Sequence, residues 1–390
     1  MNSHDFSLSG ETVAARDVPV KDGPVNEACL LVERFDNHFA LWDYFVMHFS
    51  SSPLITWTEK GLYCEAGGFY IDPHKGVDVA VITHAHSDHA RKGSKLYITE
   101  RTGVELLKTR LGKNISVRSF PYRESFQLGD VTVSFHSAGH ILGSSQVRVQ
   151  RGNDVWVASG DYKRDADPSC EPFEVIECDV FITEATFGTP RFVWQKNQPH
   201  GQNIYEWYKE NAERGINSIV FGYSLGKAQR ILAELAPFPV DHVIVHPTIV
   251  PLTQCYRDEG RTLAKTMTIK ERIKEKSKLV GELILAPPSI FTEEWGEHLG
   301  EYKTAFASGW MQNGGWGRGS YDRGFVMSDH ADWNDLNRTI IETKAKKVYV
   351  QHRNGALVRH LRGQGLEAHP VEVLKSFIDQ IPSGTNLTLI

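Results

Sequence analysis

Three histidines and an aspartate fall within six residues at His84-Ala85-His86-Ser87-Asp88-His89, directly after the apolar run Val79-Ala80-Val81-Ile82. Packing alone does not ask for such a cluster. Side chains two apart lie on one side of an extended segment, so His84 and His86 can reach one metal ion. Asp88 and His89 lie a step further along, where the chain has to turn, and can hold a second. Zinc takes imidazole nitrogen and carboxylate oxygen at roughly 2.0–2.2 Å, and two such ions about 3.5–4 Å apart make a hydrolytic centre. Three more ligand-type residues stand in the same kind of place. His140 follows the run Val131–His136 and is framed by Gly139 and Gly143, Asp161 follows Val155–Ala158 and Gly160, and Glu184 follows Val180–Thr183. A carboxylate such as Asp161, behind a buried-type strand and a glycine, is suited to bridge two cations.

The elements that must position these residues are short strands broken by glycines from Pro53 onward. Asp72 closes the strand-like Phe69-Tyr70-Ile71, where it either hydrogen-bonds the histidine loop or caps the turn before Pro73. Tyr97–Thr99 reads as a strand and Thr102–Arg110 as a helix. Val117–Tyr122, Glu124–Leu128 and Val131–His136 alternate like a run of antiparallel strands, with Gly129-Asp130 as a turn. Val147–Val149 and Val155–Ala158 form the next expected hairpin.

The pattern changes after Gly188. Gln202–Arg214 is an amphipathic helix and Asn217–Phe221 a strand. Gly222-Tyr223-Ser224-Leu225-Gly226-Lys227-Ala228-Gln229-Arg230 then turns into a helix, either a start that receives phosphate on free N–H groups or a plain helix cap. Val243–Val245, Leu283–Ala286 and Thr304–Ser308 are further strands alternating with helical segments, which predicts a small parallel α/β domain set into the main body. Lys265–Lys278 carries six lysines or arginines against two glutamates, as either a solvated helix face or part of a nucleic-acid track.

A chain of 390 residues predicts more than one compact unit. Hydrophobic content of 41% and charged content of 23% are ordinary for a globular protein. No window approaches the ~18 apolar residues of a membrane span, and the polar start Met1-Asn2-Ser3-His4-Asp5 is not that of a signal peptide. Five cysteines without a CxxC pair predict a reducing, cytoplasmic setting and no disulfide framework. The net charge of −5 does not advertise a nucleic-acid binder, although metal-binding carboxylates contribute to it. Residues 1–50 read as an N-terminal extension with an aromatic-rich second half.

In order and spacing, His84, His86, Asp88, His89, His140 and Asp161 resemble the metallo-β-lactamase superfamily, an αββα sandwich with a dinuclear zinc site at one edge. The inserted domain, the GKAQ helix start, the segment Arg323-Gly324-Phe325-Val326-Met327-Ser328-Asp329-His330-Ala331-Asp332-Trp333 and the late His352 resemble its β-CASP nuclease branch. Within that branch the stretches FYIDP, ITHAHSDHAR, ITEATFG, GYSLGKAQR and DRGFVMSDHADW resemble the bacterial DNA-ligase-associated exonucleases. The resemblance covers Pro53 to Glu372. It implies an α/β fold divided into a first sandwich part (51–187), an inserted β-CASP domain (188–325), a returning sandwich part (326–375) and a tail (376–390). It further implies two zinc ions, with His84, His86 and His140 on one, Asp88 and His89 on the other, and Asp161 between them. His352 matches the position that completes the second site, but here Arg353 follows it where the family has glycine. His330 matches the general acid, Glu184 the carboxylate that orients it, and Asp72 the aspartate ahead of the metal loop.

The resemblance thus implies a zinc-dependent nuclease, a 5′-to-3′ exonuclease on single-stranded DNA, with a DNA ligase and a helicase as functional partners and no membrane. Ser328, Lys227, Arg318 and Arg323 are its candidate phosphate contacts. Three rivals stand beside it. RNA is the alternative polymer, a small-molecule hydrolase would use the same core, and a non-catalytic subunit would be expected to have lost ligands that this chain retains.

Overall fold

The computed structural model describes residues 53–275, 278–288, 297–314, 320–351 and 355–374. The expected N-terminal extension (1–50), the tail (376–390), Arg318 and His352 lie outside the described residues.

The first sheet holds β1 (Thr56–Thr58), β2 (Gly61–Cys64), β3 (Phe69–Ile71), β4 (Val79–Ile82), β5 (Leu96–Glu100) and β6 (Val117–Phe120), side by side in that order. The first three pair antiparallel and β3 to β6 run parallel. Between β5 and β6 the chain forms helix α1 (Val104–Leu111). The run Val79–Ile82 is continuously apolar because β4 is buried on both faces. Val81 points into the core between the two sheets, while Ala80 and Ile82 pack under Leu106, Leu107 and Leu111 of α1.

The second sheet begins with the antiparallel strands β7 (Ser125–Leu128), β8 (Val131–Ser137), β9 (Ser145–Arg151) and β10 (Asp154–Ala158), to which β11 (Val180–Thr183) adds parallel. The expected antiparallel run from Val117 is therefore broken. β6 belongs to the first sheet, parallel to β5, and the chain crosses between sheets through Pro121 and Arg123, whose φ is 67°. Alternation marks a strand but carries no record of its neighbour, and β6 is an edge strand whose Arg118 and Ser119 are exposed.

A third sheet comes next, built from β12 (Asn217–Phe221), β13 (Val243–Val245), β14 (Thr266–Thr268), β15 (Leu283–Ala286), β16 (Tyr302–Ala307) and β17 (Arg323–Phe325). All its pairings are parallel, in the order β14-β13-β15-β12-β16-β17. Four helices accompany it among the described residues: α2 (His200–Ala212), α3 (Lys227–Leu235), α4 (Val250–Asp258) and α5 (Ile269–Glu275). One face packs Val220, Val245 and Leu285 on Ile204, Trp207, Ile231 and Leu232, and the other packs Ile219, Ile244 and Ile284 on Ile269. Leu225, Leu252 and Tyr256 join the α1 core, so this sheet's helices share a core with the sandwich. The stretch from Lys265 thus supplies β14 and α5 rather than one helix.

The chain then returns to the second sheet through α6 (Trp333–Glu342), β18 (Lys347–Val350), α7 (Gly355–Gly363) and β19 (Glu367–Pro370), giving the order β19-β18-β11-β10-β9-β8-β7. Leu336, Ile340, Leu357 and Leu361 cover Val157, Phe181 and Val348. With α1 outside the first sheet and α6 and α7 outside the second, the layers are αββα.

Candidate metal centre and its cavity

Four strand ends of the sandwich deliver ligand-type side chains to one place. β4 runs into Thr83, His84, His86, Asp88 and His89, β8 leads to His140, β10 to Asp161 and β11 to Glu184. Glycine is required where these ends crowd. Gly160 has φ 56°, and a Cβ there would stand 2.7 Å from the Thr83 side chain. At Gly139, with φ 69°, a Cβ would meet the Lys163 carbonyl at 2.4 Å.

His84 Nε2 and His140 Nε2 each lie 3.0 Å from His86 Nδ1. The far nitrogens set the tautomers. His140 Nδ1 donates to the Asp329 carbonyl at 2.7 Å, and His86 Nε2 donates to the Leu225 carbonyl at 3.2 Å. The inward nitrogens of His140 and His86 are then both lone pairs facing each other at hydrogen-bond distance with no proton between them. Burial first, and the neighbouring imidazoles after it, hold the pKa values of His84 and His140 well below the ordinary histidine value, so both rings are neutral.

Asp161 stands against this trio, its Oδ2 at 3.7 Å from His84 Nε2 and 3.8 Å from His140 Nε2. The same oxygen is 3.3 Å from His89 Nε2, and Asp88 Oδ2 is 3.8 Å from that nitrogen. Burial alone would raise the Asp161 carboxyl, but His89 and His330 hold it well below the usual carboxylate range. Its Oδ1 is buried without a hydrogen-bond partner. An orphaned carboxylate oxygen among facing imidazole lone pairs fits a cation. His84, His86, His140 and Asp161 form one possible ligand group, and Asp88, His89 and Asp161 a second that shares the aspartate.

Asp72 holds the loop from behind. Its carboxylate accepts from Thr83 N at 2.8 Å, Thr83 Oγ1 at 2.5 Å and His89 Nδ1 at 2.7 Å. It does so from a left-handed backbone, φ 46°, which is uncommon for a residue other than glycine.

His330 arrives from the segment after β17. Its Nδ1 donates to Glu184 Oε2 at 3.0 Å and lies 4.0 Å from Asp161 Oδ2. Glu184 is fully buried, and its Oε1 also accepts from Tyr162 N at 2.6 Å. Burial of His330 favours the neutral ring, but the Glu184 and Asp161 carboxylates outweigh it and push its pKa up to about 9. The ring is therefore an imidazolium at neutral pH, a proton donor fixed beside the carboxylate shared by both ligand groups.

His86, His140, Asp161 and His330 border a cavity of about 620 Å³ whose walls also include Asp88, Arg110, Tyr223, Trp310 and Ser328. Ser328 lines it, with its hydroxyl bonded to the backbone of His330. Lys227, expected at a phosphate, also borders the cavity but is buried, its ammonium held by Asp329 Oδ1 at 2.6 Å and the Met327 carbonyl at 2.5 Å. At the helix start Gly226 N donates to Gln229 Oε1 and Ala228 N to the Tyr223 carbonyl, so these two N–H groups are already taken. Arg323 lies in a different cavity with Trp207 and Asp322, its guanidinium 5.3 Å over Phe325.

Several residues in the site were not singled out from the sequence. Asp329 and Arg230 stand inside the SDHADW and GKAQR stretches, where their neighbours drew the attention. Arg110 of α1 donates to the Ala85 carbonyl inside the histidine loop, and its helical stretch carries no sign of this. Trp310 follows the strand β16 and offered no motif.

No family model matches the chain. A protein of Opitutus terrae named a probable DNA ligase is 30% identical over 313 residues, which is 79% of this chain and 30% of that protein. An RNase J-like protein of Methanocaldococcus jannaschii is 26% identical over 210 residues, 45% of this chain and 50% of its own. The chain thus spans from about a third to half the length of these relatives. A crystal structure of a protein of unknown function from Enterococcus faecalis aligns with TM-score 0.50 at 14% identity, over 75% of this chain and 78% of that one, and speaks for the fold alone. With the αββα layers, the parallel inserted sheet and these relatives, the chain belongs to the β-CASP branch of the metallo-β-lactamase superfamily, alongside its ligase-associated group.

Proposed function

We propose that this chain is a zinc-dependent nuclease that hydrolyses phosphodiester bonds of DNA, acting on single strands from the 5′ end in repair or end processing. The observation that carries the reading is the His330–Glu184 pair, with His330 held against Asp161 at the cavity that His86 and His140 border. His84, His86 and His140 would hold one zinc and Asp88 and His89 the other, with Asp161 common to both. When bound, the ions would supply an acidified water and neutralise charge on a phosphoryl oxygen. The rest falls to the protein's own residues. Glu184 accepts from His330 Nδ1 and keeps the ring charged, leaving Nε2–H to protonate the departing sugar oxygen, a step typically worth roughly 10²–10⁴-fold. Asp72 fixes His89 through Nδ1, so that its Nε2 faces Asp161.

DNA is favoured by the Opitutus relative, in which a stretch similar to this chain shares one polypeptide with what is named a probable DNA ligase. A ligase, and with it a helicase, are the partners we propose. RNA is the second reading, supported by the RNase J-like relative. The test is zinc-loaded protein on end-labelled single-stranded DNA and RNA of equal sequence, with 5′-phosphate or 5′-hydroxyl ends and closed circles as control. Mononucleotides released from the 5′ end of linear DNA, with circles intact, are expected. Equal cutting of circles would overturn the exonuclease reading, and preference for RNA the DNA reading.

A further inference from the structure

The cavity has a side that the hydrolytic chemistry does not use. Parallel α/β sheets bind ligands beyond the carboxyl ends of their strands, where the strand order reverses. In the inserted sheet the chain leaves β12 to one side, towards β13, and later crosses from β15 to β16 on the other, so the reversal lies at β12. Tyr223 emerges two residues beyond β12, Trp310 three beyond β16, and Ser328 three beyond β17, and all three border the cavity that holds the metal-ligand cluster.

The two aromatic residues differ in support. Trp310 is braced, its ring 4.8 Å from Phe187 and 5.4 Å from Phe192, and Phe187 lies 6.0 Å from the His330 ring. Tyr223 is 55% exposed, a large ring at the cavity wall with no ring or hydrogen-bond partner among the described residues. Cations contribute little here. The cavity is bordered by Lys227 and Arg110, but Lys227 is engaged by Asp329 and Arg110 by the Ala85 carbonyl. No asparagine or glutamine borders it among the described residues. The walls therefore offer faces for stacking and few groups that could read the edge of a base.

We propose that Tyr223 and Trp310 form a nucleobase-stacking subsite that holds one base of a single-stranded nucleic acid next to the scissile phosphate, without selecting its identity. The subsite rests on the proposed nuclease function. It assigns the grip on the strand to stacking, which every base can supply, in place of the phosphate contact expected at Lys227.

The test crosses the side chain with the base. Single-stranded oligonucleotides carry one abasic residue, scanned through the positions near the 5′ end, and are cleaved by the zinc-loaded wild type and by Tyr223→Ala, Tyr223→Phe and Trp310→Leu. In the wild type, one abasic position should raise KM by roughly tenfold or more, the size of a single base–aromatic stack. Tyr223→Ala should raise KM on the intact strand by a similar factor and lose most of the further penalty at that abasic position. Tyr223→Phe should keep the wild-type pattern, and Trp310→Leu should weaken it. Penalties that simply multiply in Tyr223→Ala would overturn the subsite, as would a Tyr223→Phe enzyme that behaves like Tyr223→Ala. A wild type that hydrolyses a nitrophenyl phosphodiester but cuts no oligonucleotide would overturn the nuclease reading itself, and the subsite with it.

Discussion

The backbone carbonyl of Asp329 accepts the Nδ1–H of His140 at 2.7 Å, so a residue next to the proposed general acid, His330, also sets the tautomer of a proposed metal ligand. That carbonyl is held from the inserted domain. The Asp329 carboxylate takes Lys227 Nζ at 2.6 Å and Arg230 Nη1 at 3.3 Å, and Arg230 also donates to the Ser328 carbonyl at 2.5 Å. The three cations Lys227, Arg230 and Lys163 keep the Asp329 carboxyl far below its usual range despite its burial. Two α3 side chains thus clamp the turn that carries His330 and the carbonyl behind His140.

Lys227→Met should accordingly lower stability, by less than the roughly 3–5 kcal/mol of a buried ion left wholly unpaired, because Arg230 still holds Asp329. It should also weaken zinc at the three-histidine cluster. Lys227→Met with Asp329→Asn should recover part of the loss. Denaturant melts and competitive zinc titration read the two effects separately. A single variant with wild-type stability would show that the pair contributes nothing net.

The same charge cluster predicts acid lability. Lys163 and Arg230 outweigh burial at Asp167 and hold its carboxyl at about 2, below the ordinary 3.8. An acid whose folded pKa is depressed stabilises the fold above its unfolded pKa and loses that contribution as pH falls through the folded value. At Asp167 the contribution is on the order of 2 kcal/mol, lost between about pH 4 and pH 2. Asp167→Asn should be less stable at pH 7 and show a flatter stability profile over that interval.

For His330 the sign is opposite. As the proposed general acid it would work as the imidazolium, and the raised pKa of about 9 favours that form at neutral pH. Cations on Asp161 would take up part of that carboxylate's effect, so the alkaline limb of the cleavage profile should fall below pH 9 in the zinc-loaded enzyme. Glu184→Gln should move that limb towards lower pH and cost more rate at pH 8 than at pH 6. His330→Ala should lose roughly 10²–10⁴-fold on DNA and much less on a nitrophenyl diester, whose leaving group needs no proton. Equal losses on both would make His330 a ligand or a prop.

The gathering of the histidines and carboxylates was legible because chemistry and position coincide in the sequence. His84, His86, His140, Asp161 and Glu184 each come after a short apolar run, and an apolar run is how a strand buried on both faces looks. What a side chain meets across the fold is not written locally. Lys227 reads as a phosphate ligand at a helix start, yet its partner lies 102 residues away. Arg323 sits near the motif carrying His330 but lines a different cavity with Trp207 and Asp322, its guanidinium over Phe325. β6 alternates like its successors and joins the other sheet.

The described cysteines should be chemically silent. Cys64, Cys170, Cys178 and Cys255 are buried, and burial pushes their thiol pKa values up, to about 11 at Cys64 and about 12 at Cys178. The thiolate is the reactive form. Native protein at pH 7 should therefore react quickly with a maleimide at no more than one thiol, that of Cys29, and at all five after denaturation. More than one fast thiol would mean that the core opens around one of the four.

Zinc stoichiometry tests the shared carboxylate most directly. His84, His86, His140, Asp88 and His89 divide into two groups that have only Asp161 in common, and four ligands already fill a tetrahedral zinc site. Undialysed protein should therefore carry close to two zinc ions per chain. Asp161→Asn should bind less than half of that, because one substitution touches both groups, whereas Asp88→Ala should remove one ion and leave the other. His352→Ala separates the remaining possibilities: a fall towards one ion would make His352 a ligand of the second group, and an unchanged count would leave that group to Asp88, His89 and Asp161. Full cleavage activity at one ion per chain would overturn the two-metal reading altogether.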